Sequence, residues 1–323
     1  MIKILANDGI SEAGKQKLES AGFEVMTNKV AQEQLISFIN EKQVDVLLVR
    51  SATRVTADIV GQCESLKLVG RGGVGLDNVD QKACQSKGIK VVNTPAASSE
   101  SVAELVFAHL FGLVRSLHDS NRQMPLEGDT KFNDLKKAYG KGIELRGKVM
   151  GIVGFGRIGQ ATAKIALGVG MEVKFYDPFV EEASMQLRFY DGQNVFFRIN
   201  RSSLEEVLKS SDFISLHVPK QTNGEALIAR DQIEMMKDGV IIVNTARGGL
   251  IHEDDLLYAL DNGKIRAAAL DVFENEPTPA LRVLMNPHLS LSPHIGAATE
   301  EAQERIGLEL AELISDHFAA AKH

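Results

Sequence analysis

Apolar residues fall in short runs along this chain, and between the runs they recur at helical spacing. In the first part, Lys3-Ile4-Leu5-Ala6 and residues 23–26, 44–49, 68–70 and 89–93 read as strands. Residues 11–20, 31–40, 57–62 and 80–86 read as the helices between them, the first capped at its start. Strands alternating with helices predict right-handed βαβ units on a parallel sheet, so the first ~95 residues form one α/β domain. A long apolar-periodic helix is predicted over 99–122, then a Gly- and Lys-rich loop over 124–147. Such a helix bridges domains, forms a dimer contact, or packs on its own sheet. Further strands are predicted at 149–153, 172–176, 213–218, 241–243 and 267–270, with helices at 157–168 and 253–261. The last helix, 300–318, is expected to return to the first domain and make it discontinuous.

One turn in this pattern carries chemistry. The strand ending at Val153 runs into Gly154-Phe155-Gly156-Arg157-Ile158-Gly159, and a helix opens at once. Gly154 permits the tight turn, Gly156 lets backbone approach a pyrophosphate, and Gly159 lets the helix pack on the strand. The helix N-terminus offers amide groups and partial positive charge to phosphates. The next strand ends in Asp177, 18 residues after Gly159, where a carboxylate accepts from a ribose 2′-OH and repels a 2′-phosphate. The strand–turn–helix–strand–acid order separates this from an ordinary βα turn and predicts NAD rather than NADP.

Composition narrows the remainder. A chain of 323 residues suggests two domains, and 44% hydrophobic with 24% charged residues is ordinary for a globular protein. A net charge of −7 argues against a nucleic-acid binder. Cys63 and Cys84 supply neither a disulfide framework nor a zinc site, so no metal is expected and both read as small buried apolar residues. The first residues are too short an apolar run for a signal peptide, and the longest, 105–114, is half a membrane span. A cytoplasmic protein without membrane contact is expected.

Downstream, three apolar strands each run into a polar residue beside a Gly or Pro turn, which places Arg247, Glu276 and His294 at strand ends or just beyond. That edge is where open α/β sheets bind ligands. Singly, each fits a bland role: a surface ion pair, a solvated turn, a loop histidine. Together they suit hydride transfer. Removing hydride from a secondary alcohol also requires the hydroxyl proton to leave, and histidine is the usual base. A carboxylate beside it fixes the tautomer, and an arginine fork grips a carboxylate and polarises the adjoining carbonyl. His109, His118, His252, His288, His317 and His323 lack such company, and His217 reads as lining a cofactor site rather than moving protons.

With these motifs in view, the chain resembles the D-isomer-specific 2-hydroxyacid dehydrogenases over nearly its whole length. The resemblance implies an α/β fold of two Rossmann-like, doubly wound parallel-sheet domains with a cleft between them. Residues 1–98 and 296–323 would form a discontinuous substrate-binding domain and 99–295 the NAD-binding domain. It implies Arg247 as substrate-binding and electrostatic group, Glu276 as histidine partner and His294 as acid/base. Cofactor-binding positions would be Val74, Gly154, Gly156, Arg157, Ile158, Gly159, Asp177, Val218, Pro219, Thr245, Ala246, Asp271 and Gly296, with Asp271 holding the nicotinamide carboxamide. The front segments Leu48-Val49-Arg50-Ser51-Ala52-Thr53 and Val69-Gly70-Arg71-Gly72-Gly73-Val74 are similar to the D-3-phosphoglycerate dehydrogenase branch.

Arg50 and Arg71 end strands and could converge on one dianion, with the amides of Gly72, Gly73 and Val74 meeting the substrate carboxylate. The implied reaction is oxidation of 3-phospho-D-glycerate to 3-phosphohydroxypyruvate, the first step toward serine, in a homodimer or larger homo-oligomer. The alternatives are a hydroxypyruvate or glyoxylate reductase and, outside catalysis, an NAD-sensing corepressor. Two segments depart from the branch. Only Lys136 or Lys137 could serve as an added basic residue reaching a neighbouring subunit, and 185–199 is longer than the usual connection. A chain ending at 323 is expected to lack the regulatory domain of longer relatives.

Overall fold

A computed structural model describes residues 1–320 of the chain. Three residues of the expected front domain, 321–323, therefore lie outside the described residues. Along the chain come β1 (Lys3–Ala6), α1 (Glu12–Ser20), β2 (Glu24–Met26), a 3₁₀ turn (Gln32–Gln34), α2 (Leu35–Lys42), β3 (Val46–Val49), α3 (Ala57–Gln62), β4 (Leu68–Arg71), α4 (Gln81–Ser86) and β5 (Lys90–Asn93). Next are α5 (Ser99–Val114), α6 (Leu117–Glu127), α7 (Phe132–Ala138), β6 (Val149–Val153), α8 (Arg157–Val169), β7 (Glu172–Tyr176), β8 (Glu182–Arg188), β9 (Asn194–Asn200), α9 (Leu204–Ser210) and β10 (Phe213–Leu216). The chain continues through α10 (Arg230–Met235), β11 (Val240–Asn244), α11 (Glu253–Asp261), β12 (Ile265–Leu270), α12 (Leu281–Leu284), β13 (Leu289–Leu291) and α13 (Glu300–Ala320).

The chain divides into two compact units. One comprises Met1–Ser101 and the chain from Ala297 onward, the other Val102–Gly296. The first holds a five-stranded parallel sheet in the order β2-β1-β3-β4-β5. Successive residues of its strands serve opposite faces, the two-residue period of a sheet covered on both sides. Leu5, Leu47, Val49 and Val69 pack with Leu35, Ile39 and Ile59 of α2 and α3. Ile4, Ala6, Val46, Leu48 and Leu68 face Leu18 of α1 and Ile306, Leu310 and Ile314 of α13. Helices α1 and α13 cross at a pair of glycines. A Cβ on Gly307 would lie 2.1 Å from Ser11 Oγ, and one on Gly14 would lie 2.6 Å from the Gly307 backbone. Only bare backbone permits that approach, so the last helix is fitted to the first by sequence.

The second unit has a six-stranded parallel sheet, β13-β12-β11-β10-β6-β7. One face packs on α5 and α8 through Met150, Ile152, Phe213 and Val243. The other packs on α9, α10 and α11 through Val153, Ile214, Leu216 and Ile242. Both units are Rossmann-like.

Three expectations are corrected. The helix expected over 99–122 is two helices, because Ser116 adopts a left-handed conformation (φ 48°) between α5 and α6. The loop expected over 124–147 contains the end of α6 and the whole of α7. The unexplained segment 185–199 belongs to an antiparallel hairpin of β8 and β9, with Met185 opposite Phe197 and Leu187 opposite Val195. Ala183 and Met185 of that hairpin are buried in the core on the α8 side of the sheet.

Candidate active site

The trio sits at the carboxyl ends of three neighbouring strands of the second unit: Arg247 follows β11, Glu276 follows β12 and His294 follows β13. Asn244, the last residue of β11, shapes the first turn. Its side-chain oxygen accepts from the Ala246 amide (3.1 Å) and its Nδ2 donates to Arg247 O (2.8 Å). Gly248 follows, and a Cβ there would lie 1.6 Å from Phe273 O. The turn after Arg247 is thus pressed against the backbone of the loop carrying Glu276. That loop is also tied to α11: Glu253 N donates to Glu274 Oε1 and Glu274 N to Glu253 Oε1, both at 2.8 Å. Burial, with the Glu274 carboxylate adding to it, pushes the Glu253 carboxyl above the usual range.

Glu276 is held at one oxygen by the Phe273 amide (3.0 Å) and meets His294 Nδ1 with the other at 2.9 Å. An ionised carboxylate only accepts, so Nδ1 carries the proton and Nε2 keeps the basic lone pair. Both side chains are 36% exposed, which leaves that lone pair open to a substrate. His294 itself is left-handed, φ 56°. The geometry can take a hydroxyl proton at Nε2 and stabilise the resulting imidazolium with Glu276.

The fingerprint lies on the same edge. Gly154 is left-handed (φ 94°), and a Cβ there would fall 2.4 Å from His217 O, so the ends of β6 and β10 touch. These two strands are where the sheet order reverses, the place where doubly wound sheets bind dinucleotides. A Cβ on Gly159 would lie 2.1 Å from Gly154 O, which presses α8 onto the turn. A Cβ on Gly156 would meet nothing within 4 Å, and no side chain caps α8 there. Asp177, at the end of β7, accepts from the amides of Phe155 (2.7 Å) and Phe179 (2.8 Å), so it shapes the fingerprint turn as well as facing it. Val218 and Pro219 follow β10, Thr245 and Ala246 follow β11, Asp271 follows β12, and Gly296 comes after β13. Thr245 Oγ1 and His217 Nδ1 are buried polar atoms without a protein partner. Burial drops the His217 pKa to about 3, so the ring is neutral. An open helix N-terminus, two orphaned polar atoms and an acid on one sheet edge fit a dinucleotide.

In the first unit, the sheet order reverses between β1 and β3, and Arg50 stands at that point. Asp8 accepts from Arg50 N (2.7 Å) and from Thr53 N and Oγ1, while Asn78 Nδ2 donates to Arg50 O (2.8 Å). The stem of Arg50 passes 3.6 Å from the position a Gly72 Cβ would take, and Arg71 Nη1 lies 1.8 Å from that of a Gly73 Cβ. The structure therefore brings both arginines around one glycine pair. It does not leave the glycine amides for a carboxylate: Gly72 N donates to Val49 O (2.9 Å) and Gly73 N to Thr94 Oγ1 (2.7 Å). Val74 lies beyond them and is exposed.

His109, apart from the trio, has partners that its place in the sequence does not show. Its Nδ1 lies 2.8 Å from Ser290 Oγ and its Nε2 2.9 Å from Ser292 Oγ. A histidine inside the otherwise apolar run of α5 was the available clue. The mutual clamp of Glu253 and Glu274 had no sequence signature.

Comparison with known proteins agrees with this geometry. The family profile described as D-isomer specific 2-hydroxyacid dehydrogenase, NAD binding domain, matches residues 107–296. The chain belongs to that family, and it is an NAD-dependent D-2-hydroxyacid dehydrogenase. It is 44% identical to a hydroxypyruvate reductase of Thermotoga maritima over 97% of both chains. It is 42% identical to a D-3-phosphoglycerate dehydrogenase of Methanocaldococcus jannaschii over 97% of this chain and 57% of that one, so it spans little more than half of that relative. Among solved structures, the NAD+-bound 3-phosphoglycerate dehydrogenase of Entamoeba histolytica superposes with a TM-score of 0.76 at 28% identity, over 98% of this chain and 95% of that one. Among the described residues no group of side chains could hold a metal ion, and no helix is long and apolar enough to cross a membrane.

Proposed function

We propose that this dehydrogenase interconverts 3-phospho-D-glycerate and 3-phosphohydroxypyruvate. The observation that carries the reading is the pair Arg50 and Arg71 gathered around Gly72-Gly73 at the ligand-binding edge of the first unit's sheet. Two guanidinium groups match a phosphate dianion, a charge that lactate and glycolate lack. We assign the first unit to substrate and the second to cofactor. Residues 154–159, Asp177, Val218, Pro219, Thr245, Ala246 and Gly296 would hold NAD, which accepts or returns the hydride. His294 Nε2 takes the C2 hydroxyl proton, Glu276 stabilises the imidazolium, and Arg247 grips the carboxylate and the developing carbonyl. Asp271, whose oxygens accept three hydrogen bonds from residues 292–296, would offer the nicotinamide carboxamide its remaining acceptor site.

A second reading is a hydroxypyruvate reductase, favoured by the Thermotoga relative, which matches over 97% of its own length. Absorbance at 340 nm separates the two. Under the first reading the phosphorylated acid has the higher kcat/KM, and Arg71→Ala raises KM for it at least ~10-fold while leaving the unphosphorylated acid nearly unchanged. Equal kcat/KM for glycerate and phosphoglycerate would overturn the phosphate assignment. No turnover of any 2-hydroxy or 2-keto acid would point instead to a binding protein. Exposed Phe111, Leu117, Leu126 and Phe132 on α5–α7 support a homodimer, and a monomer mass by light scattering would refute it.

A further inference from the structure

A directional hydrogen-bond chain runs from α5 to the loop bearing His294. Ser292 Oγ donates to Asp271 Oδ1 at 2.6 Å. A hydroxyl has one hydrogen, so at its 2.9 Å contact with His109 Nε2 this serine must accept. His109 therefore carries its proton on Nε2. Burial, opposed by the Asp271 carboxylate, keeps the imidazole pKa below its ordinary value and the ring neutral. Nδ1 is then an acceptor, filled by the Ser290 hydroxyl at 2.8 Å. The order is Ser290 to His109 to Ser292 to Asp271, with every donor and acceptor fixed.

At its far end the chain meets the acid/base loop. Asp271 is fully buried, and its oxygens also accept from Ile295 N (2.8 Å) and Gly296 N (2.9 Å). Those amides follow directly on His294, whose left-handed backbone persists only if its neighbours hold it. We propose that His109 is a positioning residue. By donating to Ser292 it turns that hydroxyl onto Asp271, and Asp271 clamps the 292–296 loop so that His294 Nδ1 meets Glu276. This rests on the reading of His294 as the acid/base group.

Three substitutions of His109 test it, using the intact protein with NADH and whichever of hydroxypyruvate or 3-phosphohydroxypyruvate it reduces. Gln places its amide nitrogen near the ring Nε2 and can still donate to Ser292. Asn places its oxygen near Nδ1 and leaves Ser292 without a donor. Leu removes both contacts. His109→Leu and His109→Asn should lower kcat about 10-fold or more, with KM and NADH affinity changed less than ~3-fold. Backbone amide exchange over 292–297 should rise, and His109→Gln should recover most of kcat. Should the Leu variant not fold, Ser292→Ala, which removes only the hydroxyl on Asp271, should give the same loss and the same faster exchange. Unchanged kcat and exchange in a folded variant, or Gln no better than Asn, would overturn the proposal. His294→Ala keeps the two readings apart. Retained kcat in that variant would sink the acid/base assignment, whereas the exchange measurement reports on His109 by itself.

Discussion

At the residue scale, the site works by restricting what each group can do. Glu276 is acceptor-only toward His294 and is itself oriented by the Phe273 amide, so one carboxylate sets both tautomer and ring plane. Glu276→Gln keeps the shape but loses the charge and can reverse the hydrogen bond, which moves the ring proton to Nε2. The expected result is a kcat lower by about 10²–10⁴ with NADH affinity within ~2-fold, measured by steady-state kinetics and fluorescence quenching. A kcat near wild type would mean that the tautomer is set elsewhere.

At the element scale, glycines decide which pieces can meet. Gly248 seats the Arg247 turn on the Glu276 loop, and Gly14 with Gly307 seats α13 on α1. Gly307→Ala would drive a methyl into Ser11, whose hydroxyl caps α1 by accepting from Gly14 N. Loss of the cap plus overpacking should cost about 2–4 kcal/mol in urea unfolding. An unchanged midpoint would show that the helices separate easily. The β8–β9 hairpin illustrates what element-level reading can miss. Its alternation of Ala183, Met185 and Leu187, and the Asp191-Gly192 pair at its turn, are hairpin signals.

At the scale of the molecule, buried imidazoles make stability depend on pH. His217 titrates near 6.5 when unfolded and near 3 when folded, so between those values the unfolded chain binds more protons. Stability should therefore fall as pH drops below 6.5, by up to about 1.4 kcal/mol per pH unit from this group. His109, whose pKa burial also lowers, adds in the same direction. Unfolding free energies of wild type and His217→Gln, measured from pH 7.5 to 4.5, isolate the effect, because other titrating groups are common to both. Parallel curves would show that His217 is not buried neutral.

The alternation of strands and helices in the first unit, the NAD fingerprint and the placing of Arg247, Glu276 and His294 beyond three strand ends were legible in the chain, because each rests on local pattern: periodicity, a strand–turn–helix with a spaced acid, polar residues at strand ends. The break at Ser116 was not, since apolar spacing continues through a single left-handed residue. Neither was the engagement of Gly72 and Gly73 amides, nor the chain from His109 to Asp271, which joins residues 181 and 183 positions apart. Sequence determined which groups are present and on which strands they ride. Tertiary structure decided which of their hydrogen-bonding atoms are spent and which are left for a ligand, because that depends on contacts between segments with no common local pattern.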